Sequence, residues 1–156
     1  MKPKITNKQE VAEVELRYRT NVHPDNRAQT KSSQDAYRIL FDSWNKNTIE
    51  HIEEFKLLLL NRANRVLGMV ALSKGTTSGS IVDIKVILQY AIKANASSII
   101  VAHNHPSGNP EPSEADKKIT NRIKQACELM EISLLDHLII LPIENYYSFS
   151  DDGLIN

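Results

Sequence analysis

The sequence predicts an α/β domain in which a mixed β-sheet is sandwiched by helices in three layers. Three observations carry this expectation. Apolar spacing switches between helical and strand periods along the chain, in the order helix, hairpin, helix, strand, helix, strand. The run Ser98-Ile99-Ile100-Val101-Ala102 has the composition of a strand buried on both faces. A chain of 156 residues, 41% hydrophobic and 24% charged, supports one core of this kind and excludes a tandem multidomain enzyme.

The elements follow in order. Residues 1–31 are polar and end in the turn-rich stretch Asn21 to Arg27, so they read as an N-terminal arm. The alternation of Val14, Leu16 and Tyr18 marks one candidate edge strand within it. At Ser32 the domain proper begins and runs through residue 156. Ser32 and Asp35 have capping-box spacing, and Tyr37, Leu40, Phe41 and Trp44 follow at helical intervals. From Glu53 the pattern shortens to Phe55 to Leu60, a polar turn at Asn61 to Asn64, and Val66 to Leu72, which together read as a hairpin. Residues 73–80, with Gly75, Gly79 and five Ser or Thr, read as a loop.

Asp83 precedes Ile84, Ile87, Leu88, Ala91 and Ile92, which form one apolar helical face ending near Asn95. The buried strand at Ser98 to Ala102 leads into His103 to Pro112, a segment with three of the six prolines that reads as a rigid loop. Ser113 opens a further helix with an apolar stripe of Ile119, Ile123, Ala126, Cys127 and Met130. An aliphatic strand at Leu134 to Leu141 and a closing strand over Tyr146 to Ile155 complete the chain.

Charge and cysteine usage bound the function. Lys and Arg number 19, as do Asp and Glu, so no net charge drives sequence-independent binding to a polyanion. The basic side chains concentrate mildly in the arm. Cys127 is the single cysteine, which excludes an intramolecular disulfide and a thiolate-rich structural zinc, and fits a reducing cytoplasm. The N-terminus has no apolar signal region, and the longest aliphatic runs are far too short for a bilayer span, so no membrane contact is expected.

Chemistry concentrates in one fourteen-residue window holding His103, His105 and Asp116. Two histidines one residue apart at a strand end point to the same side, so both imidazoles can meet one cation. The ten residues between His105 and Asp116 allow a loop to turn back and start a helix, placing Asp116 in its first turn. Two imidazoles and a carboxylate suit one zinc ion per chain. Three protein ligands leave the fourth tetrahedral position to water, which is the arrangement of a catalytic site.

The string His103-x-His105-Pro106, six residues, Ser113, two residues, Asp116 resembles the metal-binding motif of the JAMM (JAB1/MPN) metalloproteases. Within them, His103-Asn104-His105-Pro106-Ser107-Gly108 followed by Pro112-Ser113-x-Ala115-Asp116 is similar to the bacterial RadC-like group. So are Glu53-x-Phe55 at the start of a Leu-rich strand, the loop Gly75-Thr76, and Leu135-Asp136-His137-Leu138. The resemblance covers about residues 32 to 153 and implies the JAB1/MPN fold, which is itself like that of cytidine deaminases. It implies zinc held by His103, His105 and Asp116, Ser113 as a donor to the oxyanion, and a glutamate base that the Glu-x-Phe match places at Glu53. Strand alternation sets Glu53 with Phe55 and Leu57 on one face and the rival Glu54 with Lys56 on the other, and hydropathy does not choose the face that meets the metal.

The implied activity is zinc-dependent hydrolysis of a peptide, an isopeptide or a small conjugate. The rival from another class is a DNA-repair-associated accessory protein without proteolysis. Zero net charge and the lack of a counterpart to the group's N-terminal helix-hairpin-helix-like region weigh against nucleic-acid contact. Deamination would need a Pro-Cys-x-x-Cys ligand pair that a single cysteine cannot supply. Ser113-x-x-Asp116 also has the spacing of a helix capping box, a role compatible with metal ligation. His137, in an aliphatic strand, reads as a hydrogen-bonded residue either of the core or behind the site, more often than as a ligand, His23 and His51 read as solvated, and Cys127 reads as a core residue. Oligomeric state has no sequence signal.

Overall fold

A computed structural model describes residues 10–75 and 82–156. Helix α1 spans Ser33–Asp42, strands β1 and β2 span Glu54–Leu60 and Val66–Lys74, and helix α2 spans Ile84–Lys93. Strand β3 (Ser98–Asn104), helix α3 (Glu114–Leu129), strand β4 (Ser133–Leu141) and strand β5 (Asn145–Ser148) follow. The sheet order is β2-β1-β3-β4-β5, with β3 and β4 parallel and the other neighbours antiparallel. This is the expected mixed sheet between helical layers. The parallel pair is joined through α3, so the β3–α3 connection and the start of α3 lie at the carboxyl end of β3.

Side-chain alternation divides the core into two layers. Phe55, Leu57, Leu59, Ile99, Val101, Ile139 and Leu141 pack with Ile87 and Ala91 of α2 and Ile123 and Cys127 of α3. On the opposite face Leu58, Leu60, Ile100, Ala102, Leu138 and Ile140 meet Ala36, Tyr37 and Leu40 of α1, with Trp44 and Ile49. Because both faces are covered, every residue of β1 and β3 is buried.

The helices begin where local chemistry directs. Ser32 caps α1 by accepting Asp35 N–H, and Asp83 caps α2 by accepting Lys85 N–H. The hairpin turn is built by Asn61, whose Oδ1 accepts the N–H groups of Ala63 and Arg65, while Asn64 adopts a positive φ of 54°.

Five boundaries differ from the sequence expectation. Val14 and Leu16 are exposed and form no strand; the arm's one bridge among the described residues pairs Gln29 with Arg65. Ser73 and Lys74 belong to β2 because they pair with Phe55 and Glu54; Thr76 and the rest of the expected 73–80 loop lie outside the described residues. His103 and Asn104 continue β3, paired with Phe55 and with Ile139 and Ile140 on either side. Met130 lies past the end of α3 and is exposed, leaving the stripe. The closing strand stops at Ser148, where buried Asp136 bends the chain by accepting Ser148 O–H at 2.6 Å and Ser150 N–H at 3.0 Å. No helix among the described residues is long and apolar enough to cross a membrane.

Candidate metal centre

Strand β3 aims His103 toward the layer of α2 and α3, and its ring stacks parallel to Phe55 on the neighbouring strand with centroids 5.9 Å apart. Two residues on, His105 leaves the strand with its N–H still bonded to Ile140 O at 3.0 Å, which keeps it in register. The loop then folds back to Ser113. Its hydroxyl oxygen accepts Asp116 N–H at 3.1 Å while Asp116 Oδ2 accepts Ser113 N–H at 2.8 Å, a complete capping box at the start of α3.

The capping carboxylate does double duty. Asp116 Oδ1 lies 3.2 Å from His103 Nε2, Asp116 Oδ2 lies 3.3 Å from His105 Nε2, and the two Nε2 atoms are 3.0 Å apart. His103 is fully buried, and His105 and Asp116 are half-buried. Tetrahedral zinc with bonds of about 2.0–2.1 Å to nitrogen and oxygen needs ligand atoms roughly 3.3 Å apart, close to the separations seen. The donor set points the same way. His105 Nδ1 donates to Asn109 O at 2.7 Å, so its Nε2 presents a lone pair to the cluster. Lone pairs converging at such distances repel unless a cation or added protons lie between them. The three residues therefore fit a divalent ion.

Electrostatics agree with this picture. Burial opposes protonation of His105, but the Asp116 carboxylate, the Asn109 carbonyl and the charge of Glu53 outweigh it and raise the pKa. Burial likewise works against an ionised Asp116, yet the two imidazoles and Ser113 N–H hold its carboxyl well below the usual range.

The cleft beside these residues has a volume of about 680 Å³ and is lined by Glu53, Phe55, Val82, Pro106, Ser113 and Ile119 among others. Glu53 stands half-buried immediately before β1, on the cleft side. Glu54 is buried and forms ion pairs with Lys56 at 3.9 Å and Lys74 at 3.4 Å. His51 is exposed yet lines this cleft, a position the sequence did not suggest. His23 is exposed at the N-cap of a short 3-10 turn, Pro24–Asn26. Cys127 is buried in the core, and burial pushes its thiol up to about 11, which removes it as a nucleophile.

Sequence reasoning missed two residues that shape the site. Asn104, fully buried, accepts Glu54 N–H at 2.7 Å and donates to Ile49 O at 2.8 Å and Ile52 O at 2.9 Å. Thr120, one turn beyond Asp116, has its hydroxyl 2.6 Å from Asp116 O and 2.6 Å from His137 Nδ1. Thr120 is a hydroxyl at a position that helix periodicity makes internal, and that was the available signal; Asn104 offered none, because it falls in the segment that reads as a loop. His137 lies fully buried behind the cluster, its Nε2 2.7 Å from His103 Nδ1, and burial holds its pKa well below the ordinary imidazole value.

Comparison with known proteins accords with this geometry. A UPF0758 protein of Flavobacterium johnsoniae is 43% identical over 123 residues, covering 79% of this chain and 52% of the relative. UPF0758 proteins of Porphyromonas gingivalis and Thermotoga maritima are 44% identical over 103 residues and 43% over 101, covering 66% and 65% of this chain and 45% of each relative. The chain thus spans about half the length of these relatives. The model of the RadC-like JAB domain matches residues 30–154, a span that contains the whole His103, His105 and Asp116 cluster, and the chain belongs to that family.

Proposed function

We propose that this domain is a zinc-dependent hydrolase of amide or isopeptide bonds, acting on a peptide, an isopeptide-linked protein or a small conjugate. The observation that carries the reading is the convergence of His103, His105 and Asp116 ligand atoms within 4.8 Å of one another beside a cleft that also holds Glu53 and Ser113. Zinc held by His103, His105 and Asp116 would keep room for a water, as catalytic rather than structural sites do, and would supply Lewis acidity toward that water and a substrate carbonyl.

The remaining chemistry falls to the chain's own groups. Glu53 accepts the proton of the attacking water and passes it to the leaving amine. Its cleft-side position supports this role, whereas the lysine pairing of Glu54 occupies the rival carboxylate. The Ser113 oxygen is engaged as the acceptor of Asp116 N–H, so its hydrogen remains free to meet a developing oxyanion, an effect of about 3 kcal/mol for a good donor. Phe55, Val82 and Ile119 provide the apolar wall that limits water around the reacting bond.

Elemental analysis after zinc loading, paired with turnover of a lysine-isopeptide and peptide-amide substrate panel, tests the reading. Stoichiometric zinc is expected in the parent and in Glu53→Gln and is expected to be lost in His105→Ala, with hydrolysis lost in His105→Ala and slowed about 10²–10⁴-fold in Glu53→Gln. Zinc retained by His105→Ala, or parental turnover by Glu53→Gln, overturns it.

A further inference from the structure

We infer that Thr120, acting through His137, is a positioning residue that fixes the proton on His103 Nδ1 and so keeps the Nε2 lone pair directed at the metal site. The inference rests on the metal reading above and concerns the hydrogen-bond chain behind the cluster. Thr120 Oγ1 is 2.6 Å from Asp116 O and 2.6 Å from His137 Nδ1. A carbonyl only accepts, so the one hydroxyl hydrogen of Thr120 serves Asp116 O. The short contact to His137 is then filled by a hydrogen from the ring, which makes His137 the Nδ1–H donor.

His137 has 0% exposed surface and sits against the parallel ring of Phe149, with centroids 4.7 Å apart, and the edge-on ring of Phe55 at 5.5 Å. The two polar contacts of its ring among the described residues are Thr120 Oγ1 and His103 Nδ1, and no described carboxylate touches the ring, the Asp136 carboxylate meeting the backbone N–H of His137 instead, so the ring carries one hydrogen. With that hydrogen on Nδ1, its Nε2 is bare, and the 2.7 Å contact to His103 Nδ1 takes its hydrogen from His103. The chain therefore runs from His103 Nδ1–H to His137 Nε2, from His137 Nδ1–H to Thr120 Oγ1, and from Thr120 O–H to Asp116 O.

Both ends of this chain are metal-site residues. A single hydroxyl on α3 thus sets which nitrogen of a β3 histidine is free, while tying the backbone of the carboxylate ligand to the same network. On the other histidine the Asn109 carbonyl performs this task directly. Because His103 is buried in the sheet, it reaches a comparable acceptor only through a second ring. Thr120 also makes an ordinary helical contact to the carbonyl four residues back, and a purely local role of that kind would leave the His137 ring indifferent to the hydroxyl.

Imidazole ¹⁵N shifts of the metal-free protein, with zinc affinity measured separately by chelator competition, decide the matter for the parent, Thr120→Ser and the near-isosteric Thr120→Val. The parent and Thr120→Ser are expected to hold His137 as the Nδ1–H tautomer. Thr120→Val is expected to turn it to Nε2–H, reversing the bond to His103 and weakening zinc about 10–100-fold, the usual cost of losing a partner of a metal ligand. A parent His137 found as Nε2–H overturns the inference without any variant. So does a folded Thr120→Val that keeps the Nδ1–H form, or one that binds zinc as tightly as Thr120→Ser. A parent that binds no zinc removes the metal reading instead, while the tautomer comparison still decides the role of Thr120.

Discussion

Asn104 Oδ1 accepts the backbone N–H of Glu54 at 2.7 Å, joining the end of the strand that carries His103 to the start of the strand that follows Glu53. The same side chain donates to the carbonyls of Ile49 and Ile52, so its amide holds the incoming chain at three points. Side chains alternate along β3, so His103 faces His105 and Asp116 while Asn104 faces the layer of α1. Asn104→Ala is expected to strand these buried backbone groups and to destabilise the protein by about 2–4 kcal/mol. Below its melting temperature it should retain zinc while losing turnover, because Glu53 is displaced and the three ligands are not. Thermal melts set beside metal content and kcat check this; zinc loss in parallel with activity counts against it.

The two glutamates should separate cleanly. Glu53→Gln removes the proposed proton carrier and is expected to lower kcat by about 10²–10⁴-fold, with the fold and zinc intact. Glu54→Gln should leave kcat within a few-fold of the parent. It removes the negative charge paired with Lys56, which is buried and held by Ser43 and the Trp44 ring, so a stability loss of about 1–3 kcal/mol is expected. A reversal of these two kinetic results would transfer the base to Glu54.

The grouping of His103, His105 and Asp116, which could hold a metal ion, was legible in the sequence because its members are local: a strand end, a proline-rich turn and a capped helix start lie within fourteen residues. Ser113 and Asp116 were readable as a capping box, which the structure forms, and Asp116 also joins the group with His103 and His105 that could hold a metal ion. Less local relationships left fainter traces. The face of Glu53 depends on how β1 pairs with β3, since the Phe55–His103 register brings the two sides of the cleft together. Thr120 lies within α3 among Ile119, Ile123 and Cys127, where a hydroxyl on a buried face signals a polar partner without identifying it. The end of β5 was hidden for a similar reason. It is bent by Asp136, a carboxylate from another strand whose pKa is raised by burial despite its three hydrogen bonds.

Two shifted groups in the cluster contribute to the pH dependence of the metal-free protein, against buried His137, whose depressed pKa costs stability as pH falls below about 6.5. His105 is raised, so its contribution to stability is full below the ordinary imidazole value of about 6.5 and is lost as pH climbs through its folded value. Asp116 is depressed, so its contribution is present above the ordinary carboxylate value of about 4 and is lost as pH falls. The metal-free protein should therefore be most stabilised by this cluster between about pH 4 and 6.5. Zinc must displace the His105 proton, so its apparent affinity should rise with pH until that group is neutral. Melting curves with chelator and with zinc across pH 4 to 9 should show maxima displaced from each other, the zinc form at higher pH. Coincident maxima would argue against a shared site for proton and metal.

Ser113 serves two functions that glycine and alanine divide. As the N-cap of α3 it accepts Asp116 N–H, and Ser113→Ala should cost about 0.5–2 kcal/mol of stability while Ser113→Gly costs only a few tenths. Both replacements remove the hydroxyl hydrogen that would meet the oxyanion, so both should lower kcat about 10²–10³-fold. Catalytic loss should therefore be equal in the two variants while stability loss is not. If kcat instead tracks melting temperature, falling far in Ser113→Ala and little in Ser113→Gly, the hydroxyl acts by anchoring Asp116 at the head of the helix and donates nothing to the reaction.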